Sequence, residues 1–217
     1  MLRIDVLRHG ESELSACLRG SLNDALTPQG WQQMQQGVAN VVDVYSNQFN
    51  STLVPWQAIW TSPLQRCERF ASDLSERLNL DLYKSTKFQE MHFGDWEGQT
   101  TALLYQQYPE QLAEFWQHPT QFTPPSAESL EVFQQRVWSG LEQMLVQMQT
   151  LQLTHVLLVS HGGVIKLLKC LALQQDLDLI LTQSAELGQL YRFELTFSRS
   201  QQLCIRSVEA NVRATPE

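Results

Sequence analysis

The chain alternates short apolar runs with longer amphipathic stretches. Four short runs have the composition of buried parallel strands, at residues 2–7, 58–61, 80–84 and 155–159. Residues 188–197 and 202–208 instead alternate between apolar and polar positions, which predicts an antiparallel pair at an edge of the same sheet.

Two helix starts are marked by a hydroxyl residue followed by proline. Thr27 is predicted to cap a helix that has Pro28 at its first position and runs through 32–44. Ser62-Pro63 repeats this pattern and predicts a second helix, with Arg66 in its first turn. The remaining long helices are predicted at 132–148 and 164–173.

Strands that alternate with helices predict an α/β fold with three layers. We expect a mostly parallel twisted sheet with helices on both faces and an antiparallel edge strand. Of the 217 residues, 43% are hydrophobic, enough for one sizeable core, so we expect a single domain over 1–217. Residues 99–126, rich in aromatic residues, proline and glutamine, are interpreted as a small inserted helical cap or lid.

Charge and composition exclude several classes of partner. The formal net charge of −8 disfavours binding to nucleic acid or to an anionic membrane surface. No apolar run approaches the roughly 20 residues needed to span a bilayer, and no signal peptide precedes the first strand, so we expect a cytoplasmic protein. The four cysteines show no Cys-x-x-Cys spacing, so neither a zinc site nor a redox pair is predicted.

Two histidines follow two of the predicted buried strands. The first strand runs into Arg8-His9-Gly10-Glu11, and the strand at 155–159 runs into Ser160-His161-Gly162-Gly163. Ligand sites in α/β folds form at the carboxyl ends of the strands. Two imidazoles and an arginine in this position indicate chemistry on an anion, most plausibly phosphate.

Four ordered motifs resemble the histidine phosphatase superfamily, which includes the cofactor-dependent phosphoglycerate mutases. They are Arg8-His9-Gly10-Glu11-Ser12, Ser62-Pro63-Leu64-Gln65-Arg66, Glu90-Met91-His92-Phe93-Gly94-Asp95-Trp96-Glu97-Gly98 and Ser160-His161-Gly162-Gly163. The resemblance covers about residues 2–165. The third motif is most similar to the α-ribazole phosphatases of cobalamin synthesis and to the small broad-specificity phosphatases near them.

The resemblance implies a role for each matched residue. His9 would be the nucleophile that becomes phosphohistidine, and Glu90 would be the proton donor to the leaving group. Arg8 and Arg66 would each hold phosphate oxygens with a planar fork. His161 would donate to the phosphate, and the backbone N–H groups of Gly162 and Gly163 would add donors at a helix start. No metal ion and no cofactor are implied.

Physical chemistry sets two further conditions on His9. It must attack through a neutral nitrogen, and neighbouring cations lower its pKa and so help to keep it neutral. Its other ring nitrogen needs an acceptor, such as a backbone carbonyl, that fixes the tautomer.

The chain departs from the family pattern in two places. Ser15 stands at the position equivalent to a phosphate-contacting asparagine of many relatives, and Ser15 and Gly20 are therefore only candidate substrate contacts. Between Lys87 and Arg136 there is no lysine or arginine, although phosphoglycerate mutases place several basic residues there to retain a bisphosphate. This absence favours a phosphatase over a mutase.

The aromatic residues of the predicted cap leave two interpretations open. They shield the site and stack on a nucleoside-like leaving group, or they simply pack a small cap helix. They are Tyr105, Tyr108, Phe115, Trp116 and Phe122.

The sequence thus predicts a phosphomonoesterase that acts on a small phosphorylated metabolite, with α-ribazole 5′-phosphate as the preferred substrate. The alternatives are a broad-specificity sugar-phosphate or nucleotide phosphatase, then a phosphoglycerate mutase, then a non-catalytic phosphate-binding regulator. We expect a monomer or homodimer.

Overall fold

The computed structural model describes residues 2–49, 54–198 and 202–208 of the chain. These residues form a six-stranded sheet with the strand order β3-β2-β4-β1-β5-β6. The strands are β1 (Leu2–Arg8), β2 (Ala58–Thr61), β3 (Asp81–Lys84), β4 (His155–Ser160), β5 (Leu190–Phe197) and β6 (Leu203–Val208).

The strand directions divide the sheet into a parallel part and an antiparallel edge. β3, β2, β4 and β1 run parallel to one another. β5 runs antiparallel to β1, and β6 runs antiparallel to β5. The predicted mixed α/β sheet with an antiparallel edge is therefore confirmed.

Helices cover both faces of the sheet and complete three layers. They are α1 (Pro28–Phe49), α2 (Gln65–Leu78), α3 (Thr101–Gln107), α4 (Pro109–Gln117), α5 (Leu130–Thr150) and α6 (Gly162–Leu173). On one face, Leu7 and Ile59 of the sheet pack with α1 and α2. On the other face, Ile4 and Val6 pack with α5 and α6. Alternate side chains of one strand point to opposite faces, so β1 contributes to both apolar clusters.

The first predicted helix start is confirmed, and the second helix begins two residues later than predicted. Thr27 Oγ1 accepts a hydrogen bond from the N–H of Gly30 at 3.0 Å, and Pro28 is the first residue of α1. α2 begins at Gln65, two residues after Pro63, and its N-cap residue makes no side-chain capping bond. The hydroxyl of Ser62, predicted as the cap, accepts from the N–H of Leu64 at 3.3 Å, just before the helix, and lies 2.8 Å from His161 Nε2.

The segment 99–126 contains the short helices α3 and α4. Leu104, Leu112 and Phe115 are buried in the same apolar cluster as the sheet residues Ile4 and Val6. The segment therefore packs onto the same core. Its action as a lid and the single domain over 1–217 remain predictions, and the latter includes residues outside the described ranges.

Among the residues that the structure describes, no helix combines the length and the apolar character needed to cross a bilayer.

Candidate active site

The candidate site lies at the carboxyl ends of β1 and β4. These strands pair in register, and their last residues, Arg8 and Ser160, lie opposite each other. The residue that follows each strand is a histidine, His9 after β1 and His161 after β4. The rings of His9 and His161 lie edge to face, with their centroids 5.2 Å apart. Strand pairing thus brings together two imidazoles that are far apart in the sequence.

One ring nitrogen of His9 is occupied by the backbone. Nδ1 lies 2.7 Å from the carbonyl oxygen of Gly10. A carbonyl only accepts hydrogen bonds, so Nδ1 carries the proton and the lone pair of neutral His9 is on Nε2. Gly10 O is the acceptor that the sequence analysis requires.

His161 is completely buried, and two polar side chains contact its ring. The hydroxyl of Ser62 lies 2.8 Å from Nε2, and Sγ of Cys67 lies 3.6 Å from the same nitrogen. Ser62 can donate to or accept from this nitrogen, so it participates in fixing the tautomer of His161.

Both imidazoles are held neutral by their surroundings. Burial lowers the pKa of His9 well below its usual value, and the charge of Arg66 lowers it further. The pKa of His161 is also lowered well below its usual value, mainly by burial and secondly by the charge of Arg66. The first condition for nucleophilic attack, a neutral ring, is therefore met near neutral pH.

A cavity of about 280 Å³ opens beside His9. Arg8, Arg19 and Lys166 are its basic residues, and Glu90 is its acidic residue. The remaining wall is formed by Cys17, Leu18, Phe93, Phe115, Trp116, Gly162, Gly163 and Leu181. If His9 is neutral, the wall has a formal charge of +2, which suits a phosphate monoester dianion.

Arg8 lies between the cavity and the loop before β5. Its guanidinium donates to the carbonyl oxygen of Ala185, while its Nε is buried with no hydrogen-bond partner. A Cβ on Gly162 would lie only 3.1 Å from this Nε. Gly162 thus allows the start of α6 to approach the guanidinium.

Arg66 is buried below the cavity and does not line it. Its two terminal nitrogens bond to the loop at 19–24: Nη1 donates to Leu22 O at 2.5 Å and to Asp24 Oδ1 at 2.9 Å, and Nη2 donates to Gly20 O at 3.0 Å. Only its Nε has no partner. In this conformation the guanidinium holds the loop and places a positive charge beside both histidines.

Glu90 faces the cavity and is oriented by the start of α6. Both of its carboxyl oxygens lie 3.1 Å from the backbone N–H of Gly163. A Cβ at position 163 would lie 2.2 Å from Oε1, so the approach requires glycine. The N–H of Gly163, expected to contact phosphate, thus donates to the candidate acid.

One ion pair, between Arg136 and Glu128, holds the loop that contains Glu90. Arg136 of α5 donates to the carbonyl oxygens of Lys87, Gln89 and Glu90 at 3.0 to 3.1 Å. Arg136 also pairs with Glu128, which accepts from the backbone of the same loop.

Glu97 joins this loop to the loop at 19–24. It accepts from both the N–H and the hydroxyl of Ser21, each at 2.8 Å, and from the N–H of Phe93 at 3.0 Å. These bonds lower the pKa of Glu97 against the opposing effect of burial. Glu97 is therefore a positioning residue that the motif contained but sequence reasoning left without a role.

Ser15 and Gly20 do not line the cavity. Ser15 is exposed, and its hydroxyl accepts from the N–H of Ser12 at 2.8 Å. Gly20 is buried, and its carbonyl accepts from Arg66. Both residues shape the loop around the site, and neither reaches the cavity directly.

Sequence reasoning missed two basic residues of the cavity wall. Arg19 lies in an irregular loop without a repeating pattern. Lys166 lies on α6, one turn after Gly162 and Gly163, and this helical spacing was a usable signal. Within the described parts of the chain, no group of three or more His, Cys, Asp or Glu side chains is arranged to hold a metal ion.

The fold and the site together define a class of protein. A neutral imidazole with a free lone pair, an oriented carboxyl group and a cationic wall are the parts needed for phosphoryl transfer to a side chain.

Comparison with known proteins identifies the family. The model of the histidine phosphatase superfamily (branch 1) matches residues 4–206. The chain therefore belongs to this superfamily.

Individual relatives differ in what they do. The bifunctional protein Rv2228c of Mycobacterium tuberculosis is 33% identical over 195 residues, 89% of this chain and 47% of that protein. This chain thus spans about half the length of that relative. A 2,3-bisphosphoglycerate-dependent phosphoglycerate mutase of Bartonella tribocorum is 27% identical over 173 residues, 75% of this chain and 77% of the mutase.

Solved structures support the fold. The α-ribazole phosphatase of Shigella flexneri superimposes with a TM-score of 0.70 at 22% identity, and the match covers 95% of this chain and 96% of that one. At this identity the likeness concerns the architecture, which is that of the phosphoglycerate mutase-like α/β fold.

Proposed function

We propose that this protein is a phosphomonoesterase that transfers the phosphoryl group of a small organic phosphate to His9 and then to water. The observation behind the proposal is the geometry at His9: Nδ1 is bonded to Gly10 O, Nε2 is free, and Glu90 and two guanidiniums share the adjacent cavity.

In the first half-reaction, Nε2 of His9 attacks the phosphorus atom. A bond forms between nitrogen and phosphorus, and the bond between phosphorus and the ester oxygen breaks. The ester oxygen leaves with the bonding electron pair and takes a proton from the carboxyl group of Glu90. Arg8 stabilises the charge on the phosphoryl oxygens, and the buried ring of His161 packs edge to face against the ring of His9.

In the second half-reaction, Glu90 removes a proton from water. The water oxygen attacks phosphorus, and the phosphorus–nitrogen bond breaks with its electron pair returning to Nε2. Inorganic phosphate leaves, and both His9 and Glu90 return to their starting protonation states.

Two observations favour α-ribazole 5′-phosphate as the substrate. The third motif is most similar to α-ribazole phosphatases, and Trp116 presents a half-exposed indole at the cavity wall, where a planar leaving group stacks. Of the other cap aromatics, Phe115 and Phe122 pack against Trp96, and Tyr105 and Tyr108 do not line the cavity. A role in cobalamin synthesis accompanies this choice of substrate.

A broad-specificity sugar-phosphate or nucleotide phosphatase is the second candidate, and a mutase is the third. With Glu90 protonated, as the first half-reaction requires, the cavity wall offers three cations, enough to balance one phosphate dianion but not the two dianions of a bisphosphate. Since the second phosphate of a bisphosphate would have no matching cations, the intermediate acid would leave and water would take the phosphoryl group. This argument favours hydrolysis over the mutase reaction of the Bartonella relative.

We further propose that the protein works in the cytoplasm as a monomer or homodimer on a small phosphorylated metabolite, without binding nucleic acid or membrane. A non-catalytic regulator is the candidate of a different class.

Hydrolysis of p-nitrophenyl phosphate in the presence of EDTA separates these candidates. We expect turnover by the wild-type protein and a loss of at least about a thousandfold in His9→Ala, because the variant lacks the imidazole that attacks phosphorus in the proposed mechanism. Arg77→Gln, on the exposed surface of α2, is the matched control. A panel of esters that includes α-ribazole 5′-phosphate then ranks substrates by kcat/KM. Phosphate binding without turnover would indicate a regulator, and isomerisation of 3-phosphoglycerate that requires 2,3-bisphosphoglycerate would indicate a mutase.

A further inference from the structure

We infer that Arg19 is a phosphate-binding residue of this site, in addition to the residues that the family motifs predict. The inference rests on the proposed function, since it takes the phosphoryl group to bind in the cavity beside His9.

Unpartnered buried nitrogens point to this role. In the described residues, three buried side-chain nitrogen or oxygen atoms have no hydrogen-bond partner, and all three are guanidinium Nε atoms, of Arg8, Arg19 and Arg66. Each of these guanidiniums lowers the pKa of His9 through its charge. Buried donors without partners are costly, and two of the three, those of Arg8 and Arg19, belong to residues of the cavity wall, which indicates a shared anionic ligand there.

The side chain of Arg19 is fixed and faces the cavity. Only 10% of it is exposed, and it forms part of the cavity wall together with Arg8 and His9. Its Nη1 donates to the carbonyl oxygens of Leu14 at 3.2 Å and Cys17 at 3.4 Å. These bonds hold the guanidinium in place before a ligand arrives, which reduces the entropic cost of binding.

The ion pair with Asp24 does not neutralise the positive charge of Arg19. The Nε of Arg19 lies 3.6 Å from Asp24 Oδ2, whereas Arg66 approaches the same carboxylate at 2.9 Å through a hydrogen bond. Asp24 is thus neutralised mainly by Arg66, and the charge of Arg19 remains available to the cavity.

Arg66 and Ser15, which the sequence analysis named as phosphate or substrate contacts, make hydrogen bonds within the protein instead. The terminal nitrogens of Arg66 bond to the loop and to Asp24, and the hydroxyl of Ser15 bonds to Ser12. Arg66 also donates to the carbonyl oxygen of Arg19 at 3.2 Å, so it positions the backbone of the residue that reaches the cavity. Arg19 thus supplies a cation on the wall where neither Ser15 nor Arg66 reaches.

The test compares Arg19→Gln with Arg77→Gln, which removes one cation from an exposed helical position. Two quantities are measured: the dissociation constant of inorganic phosphate by calorimetry, and kcat/KM for p-nitrophenyl phosphate. We expect Arg19→Gln to weaken phosphate binding by about tenfold or more and to lower kcat/KM at least as much, because a charge-assisted contact is lost. Arg77→Gln should match the wild-type protein in both.

The pH profile gives a readout that a purely structural role would not move. Removal of Arg19 removes one of the charges that lower the pKa of His9. The acidic limb of the kcat/KM profile of Arg19→Gln should therefore shift to higher pH, and that of Arg77→Gln should not shift.

Arg19→Lys keeps the test valid if Arg19→Gln does not fold. Lysine retains the charge but not the planar fork, so phosphate should bind between threefold and tenfold more weakly than to the wild-type protein, on the order expected for one lost contact. Wild-type phosphate affinity in either folded variant would overturn the inference. Phosphate binding that depends on Arg19 in a protein that hydrolyses no ester would instead overturn only the proposed function.

Discussion

His9 and His161 combine two properties that rarely coincide, namely complete burial and proximity to several guanidiniums. Both factors penalise the protonated ring, so their pKa values lie well below the usual value. Such a histidine stabilises the fold above its unfolded pKa of about 6.5, and this contribution is lost progressively as the pH falls through the folded-state pKa. At the scale of single residues, the site therefore combines a neutral nucleophile, His9, with the positive charges of nearby arginines.

This residue-scale account predicts the pH dependence of the reaction. The acidic limb of kcat/KM that reports His9 should lie below pH 6.5, about the pKa of a free imidazole. An NMR titration of ¹⁵N-labelled histidines assigns the limb, with His9→Ala as the control for assignment. A His9 ring that is mainly protonated at pH 6.5 would contradict the account.

Single residues also show where sequence reasoning succeeds and where it stops. His9 and His161 were predictable because each follows a short apolar run, and the carboxyl ends of neighbouring parallel strands meet. The sequence showed that a ring nitrogen of His9 needs a hydrogen-bond acceptor, but not which group supplies it. The acceptor is a backbone carbonyl, whose position depends on the fold. Arg19 was not predictable, because its position depends on an irregular loop held by Arg66 and Glu97.

At the scale of elements, the loop with Glu90 is held between two helices. The start of α6 binds the carboxyl group through Gly163, and Arg136 of α5 binds the loop carbonyls. Element boundaries followed from apolar periodicity to within a few residues. At Ser62-Pro63 the pattern placed the helix start two residues too early, and the hydroxyl of Ser62 also contacts His161, which no local pattern indicates.

A substitution that loosens the loop containing Glu90 should impair proton donation by Glu90 more than it impairs phosphate binding. We expect Arg136→Met to lower kcat about tenfold for an alkyl phosphate, whose leaving alkoxide needs a proton. For p-nitrophenyl phosphate, whose leaving group needs little protonation, the loss should stay below about threefold. Steady-state kinetics on both esters, with Arg77→Gln as control, provides the measurement. Equal losses on the two substrates would show that Arg136 does not act through Glu90.

At the scale of the whole molecule, a buried ionic cluster joins distant parts of the chain. Asp5 of β1 is completely buried and accepts from Trp56 Nε1 at 2.8 Å and from Arg192 Nε at 2.7 Å, and it lies 3.0 Å from His155 Nε2. The layer order was predictable from the apolar pattern. This cluster was not, because its members come from separate strands and a loop.

Asp5→Asn should destabilise the protein markedly. The substitution leaves the partly buried Arg192 without its counter-charge, which costs about 3 kcal/mol and lowers Tm by about 6–12 °C. Although burial raises the pKa of Asp5, its bonds to His155 and Arg192 lower it overall, so its stabilising effect is present above about pH 4 and lost as the pH falls below that. Calorimetry at neutral and acidic pH measures both effects, with Arg3→Gln, which removes an exposed ion pair, as control. A Tm within about 2 °C of the wild-type value at neutral pH would contradict the prediction.

The central claim is that the phosphoryl group passes through His9. Rapid acid-free quenching of the protein with a ³²P-labelled phosphate ester, followed by peptide mapping, tests it most directly. We predict a label that is stable in alkali, labile in acid, located on the peptide containing His9 and absent from His9→Ala. A turning-over enzyme with no such label, or with the label on another residue, would contradict the account.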